Sequence, residues 1–221
     1  GFSSSGGHLA FDDPRSKLFF VYVDILNHIK SFNPQIKFLL ENVKMKKANL
    51  DVISQYLGVE PIFINSALVS AQNRQRYYWA NWGFNQPKDK GILLKDVLEW
   101  GAVDRDKSFC IDANYFKGGN LHNYFEKSRR QLVFDQVPMR KKSKCVRSSG
   151  RGSYDRHEWD SVSDCHYRKL TPLECERLQT VPDNYTACVS NSQRYKMLGN
   201  GWTVDVISHI FKGLNQQEEE A

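Results

Sequence analysis

No run of apolar residues in this chain approaches the ~18 needed to cross a bilayer. The best candidate, Phe19 to Ile29, is interrupted by Asp24 and Asn27. No basic-then-apolar leader opens the sequence. The first residue is Gly1 rather than Met, so a processed, tagged or truncated chain is expected. Cysteine is sparse: Cys110, Cys145, Cys165, Cys175 and Cys188 form no C-x-x-C pair, which leaves zinc and thioredoxin readings with little support and predicts no metal site. Without an export signal, reduced thiols in a cytoplasm are the default expectation. There is no G-x-G-x-x-G and no internal repeat. Disorder, collagen and coiled coil are excluded by a composition of 40% hydrophobic, 25% charged and 13% aromatic residues over 221 positions. That length is enough for one or two domains with a sizeable core.

What is present is unevenly distributed. The net charge is +6, but ten Lys or Arg against three acids lie between Glu126 and Arg156, so this stretch alone carries +7. A concentrated basic segment either faces a polyanion, most often nucleic acid, or is a solvated loop. Arg140, Lys141, Lys142 and Lys144 are its densest part.

The hydrophobic pattern predicts an α/β chain. Leu18, Phe19, Tyr22, Val23, Ile25, Leu26 and Ile29 recur near helical spacing within Arg15–Lys30. Ile36–Val43 is a short apolar run that reads as a buried strand, as in a parallel sheet. Asn49–Leu57 reads as a helix stopped at Gly58. Pro61–Val69 and the aromatic Arg76–Trp82 read as strands. Strand–helix–strand order argues for a layered α/β domain. After Pro87 a short helix is expected within Gly91–Trp100, followed by an irregular basic stretch over 101–165. Thr171–Leu178 then carries a capping box, with Thr171 at the N-cap, Pro172 first in the helix and Glu174 third. A final helix is expected from about Trp202 to Phe211, with a frayed acidic end at Glu218–Glu220.

Five segments, in order, resemble one family. Gly1-Phe2-Ser3 is similar to the tail of the Pro-Cys-Gln-Gly-Phe-Ser loop of the cytosine-5 DNA methyltransferases. Glu41-Asn42-Val43 matches their Glu-Asn-Val, and Gln72 to Arg76 matches Gln-x-Arg-x-Arg. Arg168 to Tyr185 matches the Arg-x-Leu-Thr…Glu-x-x-Arg-Leu-Gln-x-x-Pro…Tyr block. Gly199 to Val204 resembles the closing Gly-Asn-Ser-Val segment, with Gly201-Trp202 closer to the de novo branch of the animal enzymes. The resemblance otherwise points to a bacterial or phage enzyme of restriction-modification type, in the cytoplasm of a prokaryotic or phage-infected cell. It implies a partial doubly wound, Rossmann-like methyltransferase sheet plus a small irregular target-recognition region. The expected division is residues 1–87 in the catalytic domain, 88–165 in the recognition region, and 166–221 as a closing segment returning to the catalytic domain.

Chemical roles follow from the resemblance. C5 of cytosine becomes nucleophilic only when a nucleophile adds at C6 and N3 is protonated or hydrogen-bonded. The family implies Glu41 for the second task. It implies that Arg76 binds the flipped cytosine or a nearby phosphate, and that Arg74 braces Glu41 and the catalytic loop. Residues two apart on a strand share a face, so both guanidinium groups can enter one pocket. Ser3 and Gln72 are expected on the DNA side with the basic cluster of Arg140, Lys141, Lys142 and Lys144. Asn200, Gly201 and Trp202 are expected to contact S-adenosylmethionine, and double-stranded DNA is the expected partner. Read without the family, Glu41 is a surface carboxylate after a strand, the two arginines are charged guards of an edge strand, and Trp202 is a core residue at a helix entry.

Two family features have no counterpart in the chain. There is no Pro-Cys dipeptide, and no Phe-x-Gly-x-Gly loop for the cofactor. The resemblance therefore implies about two-thirds of a methyltransferase domain, inactive alone and with an open sheet edge. Such a chain is expected to pair with the missing third or to dimerise. The alternative is a naturally split or catalytically dead DNA-binding relative.

Overall fold

The computed structural model describes residues 17–135 and 166–219, with side chains up to residue 214. Its elements in chain order are α1 (Lys17–Phe32), β1 (Leu39–Val43), α2 (Lys47–Leu57), β2 (Ile62–Asn65), β3 (Gln75–Ala80), α3 (Leu94–Val97), α4 (Leu121–Phe125), β4 (Leu132–Phe134), β5 (Tyr167–Lys169), α5 (Pro172–Leu178), α6 (Asn191–Asn200) and α7 (Val204–Glu219). The chain forms two compact units. Among the described residues, one holds those up to Ser66, Arg74–Lys88 and Val206 onward; the other holds Ala67–Asn73 and those between Asp89 and Asp205. Residues 166–205 belong to the second unit, and those from Val206 to the first.

In the first unit, β3 is central and antiparallel to both neighbours, in the order β1-β3-β2. The expectation of a buried parallel strand at Ile36–Val43 is thus corrected. β1 is half-buried along its length, and among the described residues it is an edge. Running direction is not encoded by apolar content, and a short apolar run suits either pairing. Asn81 continues the pairing beyond the strands, since its Oδ1 accepts from the Phe38 N–H (2.9 Å) and its Nδ2 donates to the Ile36 carbonyl (2.8 Å).

α1 buries only Phe19, Val23 and Leu26, spaced four and three apart, against Phe38, Ile53, Leu57 and Trp79. Each such side chain contributes about 1.5–3 kcal/mol when fully removed from water. Leu18, Ile25 and Ile29, read in sequence as part of the same face, are exposed. α2 ends as expected at Gly58, whose φ of 72° is left-handed and whose N–H donates to the Ser54 carbonyl. The Trp79 indole donates to Ser54 Oγ at 3.0 Å, so even this buried ring has its polar atom satisfied. α7 packs on the 82–83 turn, where a Cβ at Gly213 would lie 2.3 Å from the Gly83 carbonyl oxygen.

The second unit is built around Ala71, Leu94, Ile111, Tyr115, Leu170, Leu178, Tyr195 and Leu198. β4 and β5 form a two-stranded antiparallel sheet. Tyr115 and Tyr124 are core residues, whereas Phe116 is exposed. Lys107 fixes the 67–70 segment by donating to the carbonyls of Ala67, Ser70 and Ile92 (2.7, 3.1 and 2.6 Å). The capping box of α5 forms as read from the sequence: Thr171 Oγ1 accepts from the Glu174 N–H (3.1 Å), and Glu174 Oε2 accepts from the Thr171 N–H (2.8 Å). α6 has no counterpart in the sequence reading, and α7 runs on through the acidic end to Glu219.

Candidate active site

The first unit gathers a charged cluster on one face of its sheet. The register sets Glu41 of β1 opposite Tyr78 of β3, and Val43 opposite Arg76. Arg76 is therefore diagonal to Glu41 and on the same face. Its Nε lies 2.7 Å from Glu41 Oε1, with both side chains largely buried. The pair is in ion contact without the N–H aligned on the oxygen, and Arg76 also donates through Nη1 to the Gln75 carbonyl (2.8 Å). Arg74 is buried just before β3. Its N–H donates to Asn65 Oδ1 (3.0 Å), and its carbonyl accepts from the Ser66 N–H (3.0 Å). Arg76 thus makes an ion pair with Glu41 across the two strands.

Tyr78 is the member of this cluster that sequence reasoning passed over. Burial pushes its phenol well above the ordinary value; Glu41 adds to the rise, and Arg76 and Arg74 oppose it. The signal was the strand period: residues 74, 76 and 78 fall on one face, so the tyrosine belongs with the arginines. What the cluster offers chemically is a carboxylate held by a guanidinium against a neutral phenol. Such a group can exchange a proton or hydrogen bond with an amide-like ring edge.

The second unit presents a different feature, the turn between α6 and α7. Asn200 and Trp202 are exposed, Trp202 by 46%, and Gly201 is half-exposed. Gly199 is pressed on the chain behind it, since a Cβ there would lie 2.2 Å from the Asp112 carbonyl carbon. The reading of Trp202 as a core residue is set aside by its exposure. An accessible indole beside a glycine backbone can stack on a flat ring and lets a ligand approach the main chain.

Gln72, expected on the DNA side, is fully buried in this second unit. Its Oε1 accepts from the Ile111 N–H (3.1 Å), and its Nε2 donates to the Leu178 carbonyl (3.1 Å) and Gln179 Oε1 (3.2 Å). Both ends of the amide are occupied, and the side chain presents no polar atom at the surface. Ser3, Arg140, Lys141, Lys142 and Lys144 lie outside the described residues.

Of the described cysteines, Cys175 is buried in the core, and burial pushes its thiol far above the ordinary range. It is unsuited to nucleophilic work, which needs the thiolate. Cys110 is half-buried and Cys188 exposed. No His, Cys, Asp and Glu grouping suited to a metal occurs among the described residues, and none of their helices is long and apolar enough to span a membrane.

Comparison with known proteins agrees with the motif order. The chain is 27% identical over 243 residues to the type II methyltransferase M.HpaII of Haemophilus parainfluenzae, covering 93% of this chain and 66% of the relative. It is 30% identical over 244 residues to M.SsoII of Shigella sonnei, covering 95% and 59% respectively. The chain thus spans less than two-thirds of the length of these relatives. Its fold is that of the Entamoeba histolytica methyltransferase EhMeth, with a TM-score of 0.62 at 17% identity over 94% of this chain and 70% of that one. This likeness establishes the α/β, Rossmann-like class. A family model matches residues 1–88 and 102–216, nearly the whole sequence, and with it the chain belongs to the C-5 cytosine-specific DNA methylases.

Proposed function

We propose that this chain is the base-binding and recognition portion of an S-adenosylmethionine-dependent DNA (cytosine-5) methyltransferase. The observation that carries the reading is the Glu41–Arg76 ion pair at the Glu-Asn-Val and Gln-x-Arg-x-Arg motifs. Chemistry on a base requires the nucleotide to leave the stack and enter a pocket that reads its Watson–Crick edge. Glu41 faces N3 and the exocyclic amine of the flipped cytosine. When a thiolate adds at C6, electron density moves toward N3, and Glu41 holds the proton there while C5 becomes the carbon nucleophile. Arg76 fixes Glu41 Oε1 and brings permanent positive charge to the base or an adjacent phosphate. Arg74 supports the entry to β3.

Asn200, Gly201 and Trp202 would hold S-adenosylmethionine, which supplies the methyl group. Arg140, Lys141, Lys142 and Lys144 would contact phosphates of double-stranded DNA and so position it, leaving base-edge contacts to set the sequence read. On this reading the protein works in the cytoplasm of a prokaryotic or phage-infected cell.

The test is product analysis. Duplex DNA is incubated with the intact gene product and labelled S-adenosylmethionine, and its nucleosides are separated. Label in 5-methylcytosine supports the reading. DNA binding without any label in cytosine would favour the absence of Pro-Cys as a natural loss, and with it a catalytically dead DNA-binding relative.

A further inference from the structure

We propose that the buried side chains of Gln72, Gln179 and Thr203 form a clamp that sets the position of the Gly199–Thr203 turn. On this view Gln72 serves cofactor affinity rather than DNA contact. The inference rests on the reading of that turn as the S-adenosylmethionine site. Its physical basis is a chain of amides in which every polar atom is used. Gln179 Nε2 donates to the Leu198 carbonyl (2.5 Å) and the Gly201 carbonyl (3.3 Å), one on each side of Asn200. Gln179 Oε1 accepts from the Thr203 hydroxyl (2.9 Å) and from Gln72 Nε2 (3.2 Å). Gln72 in turn is tied to the Leu178 carbonyl and the Ile111 N–H. All three residues are buried.

The arrangement has a direction. The bonds enclose the turn from behind, at residues 198, 201 and 203, while Asn200 and Trp202 stand exposed between the anchors. The two residues after α5 add to the frame: the Gln179 carbonyl accepts from the Val204 N–H (2.9 Å), and the Thr180 hydroxyl from the Asp205 N–H (2.9 Å). These satisfy two of the N–H groups that the start of a helix leaves without intrahelical partners. A binding turn so held loses less freedom when a ligand is seated, which is how preorganisation raises affinity. Gln72, Gln179 and Thr203 are positioning residues here, acting on the ligand through the turn.

The test compares the full chain with Thr203→Val, Thr203→Ser and Gln72→Met. The readouts are S-adenosylhomocysteine affinity by calorimetry, duplex affinity without cofactor, and the melting temperature. Valine keeps the volume of threonine and removes the hydroxyl, and serine keeps the hydroxyl. Thr203→Val is expected to weaken S-adenosylhomocysteine about three- to tenfold, and Thr203→Ser to stay within about twofold of the parent. Gln72→Met is expected to weaken S-adenosylhomocysteine and leave duplex affinity unchanged. A lowered melting temperature with unchanged S-adenosylhomocysteine affinity in Thr203→Val and Gln72→Met would overturn the clamp, leaving the turn as the cofactor site. Loss of duplex affinity alone in Gln72→Met would return that residue to the DNA side. If the parent protein binds no S-adenosylhomocysteine, the reading of the turn itself fails, and the clamp with it.

Discussion

Thr180 shows how a single residue can hold an unfavourable backbone in exchange for a bond. Its φ of 56° is left-handed, a conformation that costs a β-branched residue on the order of 1–2 kcal/mol. The hydroxyl offsets this by donating to the Gln179 carbonyl (2.8 Å) and accepting from the Asp205 N–H. Thr180→Ala keeps most of the strain and loses the cap, so it should lower stability by about 1–2 kcal/mol in urea unfolding. Thr180→Gly loses the cap and removes the strain, and should lie within about 1 kcal/mol of the parent. Equal, large losses in both would show that the strain is not relieved. At this scale the sequence was informative about chemistry and blind to partnership. Glu41 and Arg76 could be named from their motifs, but their meeting in an ion pair depends on the cross-strand register, a long-range fact. The burial of Gln72 was not legible, because a motif preserves a residue's identity without saying whether it faces solvent or core.

The elements were legible where their signals are local. Gly58 ends α2, and the Thr171–Glu174 box opens α5, because caps and turns are decided within a few residues. α6 was missed since it is polar nearly throughout and buries only Tyr195, Leu198 and Gly199. It is held by a feature no local pattern reveals, the buried Glu176 of α5. Glu176 Oε1 accepts from Arg194 Nη2 and from the Thr186 N–H (both 2.8 Å) as well as the Thr186 hydroxyl, and Oε2 accepts from the Asn184 N–H (2.7 Å). Burial pushes the carboxyl pKa up, but these donors outweigh it and hold the value below the ordinary range. A carboxylate depressed in the folded state stabilises the fold above its unfolded pKa, about 4.3, and this contribution is lost as pH falls through the lower folded value. Glu176→Gln should therefore lower stability by about 2–4 kcal/mol at neutral pH. It should also flatten the acid limb of the stability profile below about pH 4. A parallel acid limb in parent and variant, followed by circular dichroism, would contradict this.

For the whole molecule, composition bounded the answer early. The basic segment between Glu126 and Arg156 is the dominant charge feature, since the remainder of the chain is close to neutral. If Arg140, Lys141, Lys142 and Lys144 each neutralise a phosphate, replacing all four with Ala should reduce the slope of log affinity against log salt by about 3–4. An unchanged slope would make the segment a solvated loop. The α/β class was also within reach of the sequence. The allotment of the last third to two compact units has no local signal in the sequence; Leu170, Leu178 and Leu198 join the core of the second unit through contacts distant in the chain. The proposed function requires Glu41 to act at the ring of cytosine. The most direct measurement is the rate of methyl transfer to duplex DNA by the intact protein and by its Glu41→Gln variant, with melting curves for both. A loss of about a hundredfold or more at an unchanged melting temperature is predicted. Equal rates, with methyl groups appearing at C5 in both, would contradict the assignment of the proton at N3 to this carboxylate.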